Sequence, residues 1–142
     1  MAVKTYQAIE KANKSGLFTS LHDCSEGGAA VALAEMAFAG GLGATVLLKK
    51  LPYKGPHTGH SLKLGKQGRE DVLLFSESNS RFIAEVSPGS EKALARILKG
   101  IPYAKVGRVE ASPELVVYGL KDQPVINARI DELKEIWKSP LK

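Results

Sequence analysis

The sequence contains no apolar run approaching the roughly 18 residues of a membrane-spanning helix, so no segment is expected to cross a bilayer. Its one cysteine, Cys24, excludes a disulfide within the chain and fits a reducing compartment. Residues Met1 to Thr5 lack the apolar core of a secretory signal, and the expected location is cytoplasmic. There is no Walker-type phosphate loop, no GxSxG elbow and no HExxH motif. Acidic residues are missing between Glu35 and Glu70, where Lys49, Lys50, Lys54, Lys63, Lys66 and Arg69 lie. Those cations carry one charge more than the net +5, so the remainder of the chain is close to neutral. The basic character therefore belongs to one Gly- and Pro-rich segment, about residues 49–70, which reads as a solvated surface loop. His57 and His60 within it stand three apart with no Cys, Asp or Glu beside them, and metal is assigned to neither.

What is present centres on His22-Asp23-Cys24-Ser25-Glu26-Gly27-Gly28. Upstream, Leu17–Leu21 alternates apolar and polar side chains, the period of a half-buried strand. Downstream, the small-residue run from Ala29 to Ala39 predicts a helix that Gly40-Gly41 stops. The motif thus opens a helix with a carboxylate, a hydroxyl and two glycines, where free backbone N–H groups and the positive end of the helix dipole favour an anion. Capping by Asp23 with Glu26, or by Ser25, is the plainer reading. Capping alone does not explain two glycines in a first turn, each costing roughly 0.5–1 kcal/mol against alanine. Close approach to other backbone and close approach to a ligand both would, and spacing leaves the two open. Glu26 opposes a bare phosphate unless it turns away or binds a sugar hydroxyl or a metal.

The 142 residues suffice for one domain, 1–142, burying roughly two thirds of its unfolded surface. Helical spacing runs from Thr5 until Ser15-Gly16 ends it, and Gly43–Leu48 reads as a strand. Strand, helix and strand would make a β-α-β unit. The helix 29–39 is apolar nearly all round, with Glu35 its only charge, and is expected to need cover on both sides, the second from another domain or subunit. Asp71–Ser76 and Arg81–Val86 read as strands joined by a hairpin at Glu77–Ser80, with Glu77 and Arg81 paired across it. A helix over Glu91–Leu98, strands at Ala104–Val109 and Leu115–Tyr118, and an amphipathic helix carrying Ile130, Leu133, Ile136 and Trp137 follow. Cys24 between two acids lacks the electropositive setting of a reactive thiol. His22, ending a strand, reads as a residue that orients its neighbours.

Residues 16–46 (GLFTSLHDCSEGGAAVALAEMAFAGGLGATV), 73–86 (LLFSESNSRFIAEV), 100–109 (GIPYAKVGRV) and 130–141 (IDELKEIWKSPL) together resemble the C-terminal part of PurL-type phosphoribosylformylglycinamidine synthases, of the AIR synthase-related superfamily. The resemblance covers nearly the whole chain; the basic segment, longer than the family's connection, departs from it and carries no assigned site. It implies an α+β fold of three α/β/α layers, with a mixed sheet of partial ferredoxin-like topology. The implied enzyme is an ATP-dependent C–N ligase of purine biosynthesis that turns formylglycinamide ribonucleotide and ammonia into the amidine. ATP and Mg²⁺ would be bound mainly outside this chain, in an N-terminal domain, and this chain is not expected to be active alone. Partners implied are that N-terminal domain, a glutaminase subunit and a small bridging subunit. By the same resemblance Ser25, Gly27 and Gly28 hold the ribonucleotide phosphate, His22 and Asp23 position the loop, and Glu77, Ser78 and Arg81 line the cleft. The other readings are a non-catalytic assembly or regulatory module presenting the apolar helix, and a nucleic-acid module built on the lysine segment.

Overall fold

The computed structural model of the chain describes residues 2–52 and 69–141. Residues 53–68, with most of the basic segment and both His57 and His60, lie outside the described residues. The elements run α1 (Ala2–Lys14), β1 (Phe18–Asp23), α2 (Gly28–Gly40), β2 (Gly43–Leu47), α3 (Glu70–Phe75), β3 (Phe82–Val86), α4 (Glu91–Ile97), β4 (Gly107–Glu110), β5 (Glu114–Tyr118), β6 (Pro124–Arg129) and α5 (Ile130–Lys138). Short 3₁₀ turns follow β2 (Leu48–Lys50) and α5 (Ser139–Leu141).

The strands form two sheets. β1 and β3 pair antiparallel, with Leu21 opposite Ala84 and His22 opposite Ile83. The other four are ordered β4-β2-β5-β6, with β2 parallel to β5 and the remaining pairs antiparallel. The class is the expected one, α+β with a mixed sheet.

Alternation along β1 and β3 divides their side chains between two cores. Phe18 and Val86 pack with Ala8 and Ala12 of α1 and Leu94 and Leu98 of the α4 segment. Ile83, on the opposite face, meets Cys24, Ala29 and Ala32 at the start of α2. The far side of α2 packs through Leu33 and Ala37 against Val46, Leu115 and Val117 of the four-stranded sheet, with Leu73 and Leu74 of α3 and Ile130 of α5 completing the cluster. Leu115 and Val117 are fully buried, each contributing about 1.5–3 kcal/mol by leaving water.

Four expectations are corrected. First, residues 71–76 are helical over Glu70–Phe75, so no hairpin precedes β3. A short apolar run does not distinguish strand from buried helix by period. Here neighbouring Leu73 and Leu74 are both buried, and Glu70 and Asp71 place negative charge in the first turn. Second, β1 and β2 belong to different sheets, so β1-α2-β2 is not a single-sheet β-α-β unit. Third, the chain itself covers α2 on both sides, with one sheet on each, and no second subunit is needed to explain its composition. Fourth, β6 was absent from the expectation. Its first residue is Pro124, which an edge strand tolerates because its N–H side need not enter a ladder.

Candidate functional site

Where β1 ends the chain passes through Cys24–Gly27 into α2, and Gly27 and Gly28 both take left-handed φ values of +72° and +65°. No side chain of the turn caps the helix; neither Ser25 nor an Asp23–Glu26 box does so. The Gly27 N–H instead donates to Glu77 Oε1 at 2.9 Å, fifty residues away in sequence. A carboxylate at a helix N-terminus is favoured by the dipole as well as by the hydrogen bond. The Gly28 N–H donates to the Ser25 carbonyl at 3.3 Å, closing the turn on itself.

Gly28 has a packing reason for being glycine. A Cβ there would stand 2.7 Å from the Leu74 carbonyl oxygen and 2.8 Å from both the Phe75 carbonyl carbon and the Ser76 carbonyl oxygen. All three are backbone atoms at the end of α3, so the close approach left open by spacing is, at this position, backbone against backbone.

The structure brings Glu77 to the turn, bonded to Gly27 and not to Arg81. Arg81 closes the far end of α3: Nη1 donates to the Ser76 carbonyl at 3.0 Å and to Ser76 Oγ at 2.7 Å, and Nη2 donates to the Leu73 carbonyl at 3.0 Å. The expected Glu77–Arg81 pair is therefore replaced by two separate tasks, one at the start of α2 and one at the end of α3. The Arg81 carbonyl also accepts the Cys24 N–H at 2.9 Å, tying the turn to β3. Ser25, Glu26 and Asp23 are exposed beside it, and Ser78 is exposed in the α3–β3 connection. Burial pushes the Cys24 thiol above its ordinary pKa, with Arg81 partly offsetting this and Asp23 adding to it.

His22, at the end of β1, has Nδ1 2.7 Å from its neighbour's carbonyl oxygen, that of Asp23. Its Nε2 lies 3.1 Å from Glu35 Oε2 of α2. The other Glu35 oxygen accepts the Trp137 indole N–H at 3.0 Å. Glu35 and Trp137 carried no role in the sequence reading; the signal available was a lone charge on an otherwise apolar helix. Glu70 was likewise missed: it accepts the Leu120 N–H at 2.7 Å and so fixes α3 to the β5–β6 turn.

Electrostatically the turn is acidic, with Asp23, Glu26 and Glu77 around it and Arg81 engaged by carbonyls. Among the described residues no three His, Cys, Asp or Glu side chains converge as a metal site.

The PurL subunit of phosphoribosylformylglycinamidine synthase from Deinococcus radiodurans is 36% identical over 129 residues, covering 91% of this chain and 15% of that protein. Its counterpart from Moorella thermoacetica is 33% identical over 141 residues, covering 97% of this chain and 17% of that protein. The chain thus spans about a sixth of the length of these relatives. Among solved structures, Thermotoga maritima PurL complexed with FGAR superposes at a TM-score of 0.73 with 24% identity, over 92% of this chain and 20% of that one. The same protein complexed with ATP gives 0.74 with 23% identity, over 92% and 21%. At these identities the superpositions establish the fold. A family described as AIR synthase related protein, C-terminal domain, matches residues 1–119, and the chain belongs to that family.

Proposed function

We propose that this chain is the C-terminal domain of a phosphoribosylformylglycinamidine synthase, and that its Ser25–Gly28 turn contributes to binding the phosphate of formylglycinamide ribonucleotide. Family membership and the PurL relatives support the enzyme class. The observation that carries the turn's role is the Gly27–Glu77 contact, in which the Gly27 amide holds an oxyanion, with both residues at the surface. A ribonucleotide phosphate would take the place of that carboxylate, with Ser25 Oγ and the Gly27 amide as donors, Gly28 closing the turn behind them, and His22 and Asp23 setting the backbone. Glu77, displaced, together with Ser78 and Arg81 would line the same cleft. Binding of this kind supplies positioning, the larger share of a phosphoryl-transferring ligase's task.

ATP and Mg²⁺ belong, in this reading, to the remainder of the synthase, as do the contacts to a glutaminase and a bridging subunit. The relatives are several times longer than this chain, and the amidine-forming reaction is assigned to the assembled enzyme in the cytoplasm.

The test supplies the missing N-terminal part in trans and titrates formylglycinamide ribonucleotide. Ser25→Ala is expected to weaken binding about tenfold or more, the worth of one hydrogen bond to a charged group. Glu77→Gln is expected to tighten it by removing the competing charge. Unchanged affinity in both variants takes the turn out of the site. ATP-dependent amidine formation by the mixture separates the enzyme reading from an assembly module. Gly27→Val is a poor probe, because a Cβ at Gly27 would meet Val31 Cγ2 at 2.2 Å and the turn would fail for reasons of packing.

A further inference from the structure

Glu35 is the only charged residue of α2, a helix packed between two sheets, and both its oxygens are engaged by other elements. One faces His22 of β1 at 3.1 Å and the other accepts the indole N–H of Trp137 of α5 at 3.0 Å. The Trp137 ring also packs on Phe38, centroids 5.7 Å apart, which fixes where the indole N–H can point. The far nitrogen of His22 stands 2.7 Å from the Asp23 carbonyl oxygen. That oxygen belongs to the Asp23–Cys24 peptide, whose N–H donates to the Arg81 carbonyl at 2.9 Å. Both polar groups of one peptide plane are therefore held, one by the imidazole and one by the residue that precedes β3. This plane is where the chain leaves the sheet for the turn, so its orientation sets the direction of everything up to Gly28.

We propose that Glu35 is a positioning residue: braced by Trp137 of the C-terminal helix, it orients His22, which orients the Asp23–Cys24 peptide and with it the turn that opens α2. The turn's functional importance rests on the reading given under Proposed function, whereas the coupling itself is a property of this chain without ligand.

The experiment uses the 142-residue chain and two readouts. The His22 imidazole ¹⁵N resonances report the orienting contact, and amide hydrogen exchange over residues 23–28 reports the turn, with β5 as internal reference. Glu35→Ala is expected to move both imidazole resonances and to speed exchange of the turn by about three- to tenfold, the range for one lost hydrogen bond. Trp137→Phe, which keeps the ring on Phe38 and removes the N–H, is expected to shift both in the same direction by less. Glu35→Gln, which can accept from Trp137 and donate to His22, is expected to restore most of the native behaviour. Ile136→Ala, an exposed neighbour on α5, controls for loosening of the helix and is expected to change neither readout. The inference is overturned if Glu35→Ala leaves the His22 resonances and the turn's exchange at their native values, or if Ile136→Ala reproduces its effect. Should Glu35→Ala also lose protection in β5, the Trp137→Phe arm decides by the same criterion. The ribonucleotide titration can fail while this coupling holds, and the reverse, so the two readings fall separately.

Discussion

Gly28→Ala offers a measurable test of what the second glycine of the motif does. Two costs arise at that position. A residue with a Cβ loses about 1–2 kcal/mol on being held in the left-handed region, and Gly28 has φ +65°. The added methyl would also lie 2.7–2.8 Å from three backbone atoms at the end of α3. Arg81 clamps that end through the Leu73 and Ser76 carbonyls, so α3 cannot slip aside without breaking those contacts. Overpacking of this kind costs about 1–3 kcal/mol. Gly16 supplies the control: its φ is +66°, yet no heavy atom lies within 4 Å of its Cβ position. Gly16→Ala therefore carries the conformational cost alone. The two variants are expected to differ by roughly 1–3 kcal/mol, about 3–12 °C in Tm for a domain of this size. Thermal or urea denaturation of both against the wild-type chain makes the comparison. Equal destabilisation by the two would refute the packing argument and return Gly28 to the residues kept for a ligand's sake.

Two further outcomes follow from contacts already described. Arg81→Met is expected to cost about 1.5–3 kcal/mol in denaturation, the range for hydrogen bonds made by a charged group, because three acceptors at the end of α3 lose their donor; Arg81→Lys is expected to recover only part, since an ammonium cannot span the Leu73 and Ser76 carbonyls as the planar fork does, and a Met variant as stable as wild type would deny Arg81 the capping role. For Cys24 the folded thiol titrates above the unfolded one, near 8.5, because burial disfavours the thiolate, so its contribution is intact below the unfolded pKa and is lost as pH rises through the folded one; stability measured between neutral pH and pH 10 should fall more steeply for wild type than for Cys24→Ala, and parallel profiles would contradict the assignment.

Much of the fold was legible in local signals. The helices stopped by Gly16 and by Gly40-Gly41, a strand at Leu17–Leu21 (observed as Phe18–Asp23) and a helix carrying Ile130, Leu133, Ile136 and Trp137 were read correctly in kind, although Ile136 and Trp137 lie exposed. Residues 71–76 were not, because an unbroken Val-Leu-Leu-Phe run carries no period, and what makes it helical is the pair of leucines buried side by side and the clamp from Arg81. The strand at Pro124–Arg129 escaped because a proline usually argues against a strand, and only its position at a sheet edge removes the objection.

By itself, the sequence determined the turn-forming glycines, the helix that follows them, the absence of any long apolar span and, through four matching segments, the family. Those are properties of neighbouring residues, whose φ preferences and hydrophobic periods act over a few positions. Tertiary structure alone decided that β1 and β2 lie in separate sheets, that Glu77 reaches Gly27, that Arg81 closes α3, and that His22, Glu35 and Trp137 meet. Each of these joins groups from different elements, and which side chain meets which follows only from how whole elements pack. The hydrogen-bonding capacity of Glu77 was visible in the sequence; its partner was not.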